Sequence, residues 1–433
     1  MTSPSPADAT QALGVPRPAL VARTVAVPAS RVGDLLELLP EPQDAGDIVS
    51  WVRKGEGLVG WGTVTMFRAK GADRFEQAAR WWRTVTGEAI VRDDVDEPGT
   101  GPVAFGSMAY SAGSEEESVL VVPEVVVGRR GSTAWVTTIT TDATLPPANE
   151  PIEVQPAPAD PGEVGFEDCD LSADQWAEAV EEAVARITAG DLDKVVLARS
   201  VRATAPGRID PRWVLARLAE DYDTTWVFAV DGLVGATPEM LVRLERGLVT
   251  SRVLAGTIRR TGDDSHDLAL AGSLARSSKD LEEHEYAVRS VADSLTEHTS
   301  SINVPDSPFV LHLNNVMHLA TDVAGVVDDD STSLALAASL HPSAAVCGTP
   351  TPDADHVIAE LEQMDRGRYA GPVGWMDASG DGEWGIALRC GAYDSPSSLR
   401  LYAGCGIVAG SRSEDEVAES VAKLLPMRTA LGG

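Results

Sequence analysis

LSADQWAEAVEEAVARITAGDLDKVVLAR, residues 171–199, sets a helix and a strand back to back. Ser172 followed by Gln175 is the pattern in which a hydroxyl caps the third helical amide and the amide side chain returns the bond. Trp176, Val180, Val184 and Ile187 then recur at helical spacing, and Gly190 supplies the stop. Lys194 to Arg199 reads as a strand directly after it. A second strand, Trp226 to Val230, leads through Leu233-Val234-Gly235 into Ala236-Thr237-Pro238-Glu239. Strands and helices mix without a strict β-α-β alternation, which predicts an α+β fold and not a doubly wound sheet.

Working outward, ESVLVVPEVVVG (117–128) and STAWVTTIT (132–140) read as two strands joined by a hairpin at Arg129-Arg130-Gly131. Residues 142–165 carry Pro146, Pro147, Pro151, Pro156, Pro158 and Pro161, a linker by composition. Residues 1–20, rich in Pro, Ala and Ser, are expected to be disordered. The predicted organisation is therefore a first half over 21–141, the linker, and a second half over 166–433. No repeat of fixed period is present.

The chain has 433 residues, 35 Lys+Arg against 66 Asp+Glu, and a formal net charge of −31. Such a surface repels nucleic-acid phosphates and anionic lipid, so neither partner is expected. It also repels a small anionic substrate, which must therefore be met by local cations or a metal. The cysteines, Cys169, Cys347, Cys390 and Cys405, are far apart and form no CxxC pair, so a reducing cytoplasm is the expected location. The first twenty residues lack the basic-then-apolar pattern of a secretory signal. No run of 18 apolar residues suggests a transmembrane helix.

Two segments give carboxylates a geometry. Residues 278–298 read as a helix with Leu281, Ala287, Val288, Val291 and Leu295 on an apolar face, and Asp280 and Glu283 lie at i, i+3. SRSEDEVAESVAKLL near the C-terminus reads as a helix with Ser413 as N-cap, and Glu416 and Glu419 repeat the spacing. Two such helices facing one another suit a hard dication such as Mg²⁺; a solvated acidic face is the alternative in so acidic a chain. No glycine run matches a phosphate-binding loop.

Nine segments in order resemble the chorismate-utilising enzymes, the family of isochorismate, salicylate, anthranilate and aminodeoxychorismate synthases. They are DKVVLAR (193–199), GATPEMLV (235–242), LAGTIRR (254–260), SSKDLEEHEYAV (277–288), VMHLATDV (316–323), LHPSAAVCGTP (340–350), RGRYAGPVGWMD (366–377), GEWGIALRC (382–390) and LYAGCGIVAGSRSEDEVAESVAKL (401–424). The resemblance is dense over 190–427 and weak before the linker. It implies one α+β unit of two packed β-sheets with outer helices, to which both halves contribute. It places Asp280 and Glu283 at the family's first metal-binding pair and Glu416 and Glu419 at its second, with Mg²⁺ as cofactor. It also implies that Arg389 and Lys423 bind substrate carboxylate, with backbone donors near Gly256, Thr257, Gly404 and Gly406, and that His318 and Tyr369 line the pocket.

Within the family the attacking group differs. Lys194 stands where the water-using members carry lysine, which implies water attack at C2 of chorismate with Lys194 as base. Glu239 is then the acid that protonates the departing C4 hydroxyl, a role that needs a raised pKa. The implied activity is Mg²⁺-dependent isomerisation of chorismate to isochorismate by a monomer. Salicylate formation by further loss of pyruvate is the alternative, against which His341-Pro342 argues. A relative that binds chorismate without turning it over is a third reading, and would have no use for an acid and a base. Cys347 and Cys405 replace small residues, and Leu281-Glu282 replaces a commoner basic pair.

Overall fold

The computed structural model describes residues 19–148, 152–312 and 316–432, with the side chains of Lys279 and Glu283 outside that description. Residues 1–18, to which most of the expected disordered N-terminus belongs, also lie outside it. Two β-sheets carry the fold, of thirteen and ten strands among the described residues. In both, strands from the second half form one contiguous block and strands from the first half the other. The blocks join where Ile48–Arg53 pairs with Trp226–Val230 in the larger sheet, and where Val103–Ser107 pairs with Pro372–Asp377 in the smaller.

A large apolar core, including Trp51, Phe105, Trp135, Phe228, Trp375 and Trp384, draws on strands of both sheets. Helices Ala173–Ala189, Pro211–Asp221, Thr351–Leu361 and Ser413–Ala430 pack on the larger sheet, and Arg74–Gly87, Ser278–Thr296 and Ser333–Ser339 on the smaller. This is the two-sheet α+β architecture that the sequence predicts.

The opening stretch folds as read. Ser172 and Gln175 form a reciprocal capping box, and Gly190 closes the helix in the left-handed region at φ 89°. Trp176, Val180 and Ile187 are buried, joined by Ala183, while Val184 is half-buried. The hairpin after Arg130 turns at Gly131, φ 56°. No helix or strand lies between Thr140 and Gly165 among the described residues, where the prolines cluster.

Two local expectations are corrected. ESVLVVPEVVVG is not one strand: Ser118–Val122 belongs to the smaller sheet and Val125–Arg130 to the larger, with Pro123-Glu124 stepping between them. Proline cannot donate to a ladder, so the apolar run breaks there. The N-cap position of the last helix is Arg412, which makes no side-chain cap bond, and not Ser413, which is the first helical residue and whose hydroxyl bonds Glu181 instead.

Candidate active site

Two strands lay one wall of the site. Lys194 is the first residue of Lys194–Thr204, which runs antiparallel to Ser398–Ile407 with Val196 opposite Gly406 and Ala198 opposite Gly404. Opposed residues share a face and faces alternate along a strand. Lys194, Val196, Ala198, Gly404 and Gly406 therefore look one way. Val195, Leu197, Cys405 and Ile407 look the other, into an apolar cluster with Trp176 and Ile187. The two glycines have a steric reason. A Cβ at 406 would stand 3.1 Å from Lys194 Cε, and one at 404 would stand 2.9 Å from the Tyr369 hydroxyl. The lysine stem lies against Gly406, and the Tyr369 ring, stacked on Tyr402 at 5.0 Å, reaches over Gly404.

Glu239 and Arg389 come from a place where the chain passes between the sheets. Leu233–Thr237 is in the larger sheet and Met240–Glu245 in the smaller; Pro238-Glu239 makes the step. Gly382–Ile386 and Cys390–Ser395 make the return step through Ala387-Leu388-Arg389. The two legs hold each other: Ile386 N–H donates to the Glu239 carbonyl at 3.1 Å, Ala236 N–H to the Arg389 carbonyl at 3.1 Å, and the Thr237 hydroxyl to the Ile386 carbonyl at 2.6 Å. Glu239 is 8% exposed. Burial pushes its carboxyl up to about 7, against the opposing pull of Lys194, Arg389 and Lys423. Arg389 sits at φ 48°, and among the described residues its guanidinium has no salt-bridge partner. A cation held partly buried with its fork uncommitted suits an incoming carboxylate.

Leu248–Arg259 and Val316–Val327 supply a further wall. Their ladder bulges at Gly256, φ 73°, between Ala255 opposite Leu319 and Thr257 opposite His318. A Cβ at 256 would come within 3.2 Å of Asp280 Cβ, so the close approach of Ser278–Thr296 requires glycine there. Thr257 Oγ1 and His318 Nδ1 are hydrogen-bonded at 3.0 Å. Burial, then the charges of Arg389 and Lys423, drive the His318 imidazole down to about 3, so it is neutral at physiological pH.

Carboxylates arrive from two helices. Ser277 caps Ser278–Thr296, whose Ala287, Val288, Val291 and Leu295 are buried, and Asp280 projects from its first turn. Glu283, on the same helix, has its side chain outside the described residues. Glu416 and Glu419 project from the first two turns of Ser413–Ala430 and, with the Cys405 thiol, bring three potential donor atoms within 4.8 Å of one another. Burial and the neighbouring Glu419 charge push the Glu416 carboxyl up while a bond from Ser411 opposes them. Burial pushes the Cys405 thiol up to about 12, so carboxylate oxygens are the donors on offer to a hard cation. Lys423 donates to Glu419 Oε1 at 2.6 Å and to the Gly404 carbonyl at 2.8 Å.

These groups surround one cavity of about 260 Å³. Lys194, Glu239, Gly256, Thr257, Asp280, His318, Tyr369, Arg389, Gly404, Gly406, Glu416, Glu419 and Lys423 all line it, so every sequence-predicted site residue whose side chain is described is brought together. Sequence reasoning missed Arg366 and Ser411, which also line the cavity; Arg366 opens the quoted RGRY segment but carried no separate signal. Lys194, Arg366, Arg389 and Lys423 set basic side chains among the carboxylates of the cavity in a protein with net charge −31, the local counter-charge that an anionic ligand requires.

Comparisons with known proteins bear on the family and the fold. Isochorismate synthase DhbC of Bacillus subtilis (strain 168) is 41% identical over 271 residues, covering 60% of this chain and 68% of that protein. The solved structure of MenF, the menaquinone-specific isochorismate synthase from Escherichia coli, matches with a TM-score of 0.79 at 25% identity over 98% of both chains. Anthranilate synthase component I from Streptococcus pneumoniae TIGR4 shares the fold, with a TM-score of 0.70 at 21% identity over 87% of this chain and 92% of that one. The model of the chorismate binding enzymes matches residues 10–432, nearly the whole length, and the chain belongs to that family.

Proposed function

We propose that this protein is an isochorismate synthase, an isomerase that converts chorismate to isochorismate. The observation that carries the reading is a buried carboxyl poised near neutrality, Glu239, lining the same cavity as the amine of Lys194. Lys194 takes a proton from water as the water oxygen bonds to C2 of chorismate. The ring double bonds shift, the C4–O bond breaks, and Glu239 gives its proton to the departing hydroxyl, which leaves as water. Water in and water out balance, so the net reaction is an isomerisation. Arg389 and Lys423 hold substrate carboxylate, and backbone groups around Gly256, Thr257, Gly404 and Gly406 complete the cradle.

The donor set fits Mg²⁺: Asp280, Glu416 and Glu419 offer hard oxygens to the cavity from two helices, and Glu283 belongs to the same first pair by its i, i+3 spacing. When bound, the dication supplies the charge that joins a substrate carboxylate to an acidic cluster. We take the enzyme to work as a cytoplasmic monomer in menaquinone or siderophore synthesis. The four unpaired cysteines support a reducing compartment, and no described helix is long and apolar enough to cross a membrane.

The test is incubation of the purified protein with chorismate and Mg²⁺, followed by separation of products. Isochorismate, identified by retention time or NMR because its mass equals that of chorismate, is expected, and EDTA should abolish it. Lys194→Ala should lose roughly 10²- to 10⁴-fold in kcat without loss of folding. Salicylate with pyruvate would move the enzyme to the lyase branch, and wild-type turnover by Lys194→Ala would remove the base assignment.

A further inference from the structure

The Lys194 strand has an incomplete edge. On the side away from Ser398–Ile407, Lys194 and Val195 pair with Gly348–Thr349, and Val201 to Thr204 pair with Gly165–Asp168. Between these two short partners no strand covers the edge among the described residues. Backbone polar groups there must find other partners or be left buried and unpaired. Val196 N–H reaches the Cys347 carbonyl at 2.7 Å, and the Trp176 indole donates to the Ala198 carbonyl at 3.1 Å. Cys169 N–H reaches the Ser200 carbonyl at 3.2 Å, and two further groups are met by an ion pair. Glu362 Oε1 accepts from Ala198 N–H at 2.7 Å, and Arg366 donates to the Val196 carbonyl at 2.8 Å.

Glu362 and Arg366 are 2% and 4% exposed. Arg366 Nε donates to Glu362 Oε2 at 2.9 Å, and the guanidinium also donates to the Val346 carbonyl at 2.8 Å. Its plane lies over the Tyr110 ring at 4.4 Å. Though Arg366 lines the cavity, four of its five N–H donors are spent on protein. It is not available to bind substrate as Arg389 is. A buried ion pair is a poor source of stability in itself, because desolvation offsets the attraction. Here the pair does what an apolar replacement could not: it stands in for a missing length of β-ladder, two residues from Lys194.

We propose that Glu362 and Arg366 are the positioning residues of the Lys194 base, a side-chain splice that fixes the lysine strand against the cavity-lining segment that ends at Val346. The proposal rests on the isochorismate synthase reading. Misplacing a reacting group by about an ångström costs on the order of 10²-fold in rate while leaving substrate contacts in place. Arg366→Lys keeps the charge but cannot bridge Val196, Val346 and Glu362 together. It should lower kcat by about 10- to 100-fold with KM within about threefold of wild type. The double variant Glu362→Gln with Arg366→Gln removes both buried charges and keeps an acceptor for Ala198 while losing the bond to Val196, and serves if the single variant does not fold. It should show the same split. In both, the rate of acylation of Lys194, followed by peptide mass spectrometry against that of Lys54, should change. A rise in KM at unchanged kcat, or wild-type values of both with unaltered Lys194 reactivity, in whichever variant folds would overturn the positioning role. Absence of isochorismate from the wild-type reaction would instead overturn the functional reading on which it rests.

Discussion

Two of the places where the chain crosses between its sheets use only two- and three-residue steps, and they are built alike. At one, Trp61 is followed by Gly62-Thr63-Val64 on the way out and Pro123-Glu124 makes the return. At the other, Pro238-Glu239 leads out and Ala387-Leu388-Arg389 returns. Each has one leg that is a Pro-Glu step and one of three residues, and the glutamate carbonyl accepts from a neighbouring strand in both, from Ile139 and from Ile386. Yet Glu124 is exposed and Glu239 is buried. Where the first crossing uses glycine for its positive φ, Gly62 at 70°, the second holds Arg389 at 48°. Arginine is disfavoured in that region and glycine is not, so the second crossing accepts strain that the first avoids. The same backbone device becomes chemistry only where helices Ser278–Thr296 and Ser413–Ala430 add their side chains to a shared cavity.

Changes at the second crossing should be severe. Glu239→Gln removes the acid and should cost roughly 10²- to 10⁴-fold in kcat. It should also stabilise the fold in a pH-dependent way. The folded carboxyl holds its proton up to about 7 against 4.5 unfolded, so the wild type keeps its full stability below the unfolded value and loses it as pH rises through about 7. The gain of the Gln variant should therefore grow between about pH 5 and pH 8, by on the order of 3 kcal/mol at most. Denaturant titrations at the two pH values measure this, and parallel pH dependence in both proteins would contradict a buried acid.

Arg389→Lys should act next most strongly. Lysine keeps the charge without the planar fork, and KM for chorismate should rise about tenfold or more, with the larger effect on KM than on kcat. A fall in kcat alone would argue that Arg389 shapes the crossing and does not hold substrate. Glu124→Gln should have the smallest effect, with activity and stability within about 0.5 kcal/mol of wild type, as for an exposed surface change. A large loss there would mean that the two crossings are coupled and that the contrast drawn between them fails.

Much of this was legible beforehand because it depends on local rules. Ser172, Gln175 and Gly190 announce a helix whatever surrounds it, and the i, i+3 carboxylates share a helix face by geometry alone. Other features depend on partners distant in the chain. The break at Pro123 is a change of sheet, not merely the end of a strand, and nothing near residue 123 says so. The acid character of Glu239 is a property of burial between two crossing legs far apart in the sequence, and only the ordered motifs pointed to it. Arg366 stayed invisible because, beyond Glu362 four residues before it, its partners are backbone groups at Val196 and Val346, which leave no mark on composition. Ser413 misled as a cap because a serine before an acidic helix is a good local signal, and here its hydroxyl went to Glu181.

None of the cavity-lining residues belongs to the first half of the chain. That half nevertheless occupies the open flank of both sheets, against Trp226–Val230 in one and Pro372–Asp377 in the other. Removing it would bare two apolar strand flanks at once, each a row of unpaired amides and carbonyls able to recruit another chain. The first half thus covers two strand flanks that the second half alone would expose. A fragment that keeps every proposed site residue but begins after the linker would be expected to precipitate sooner than to turn over chorismate.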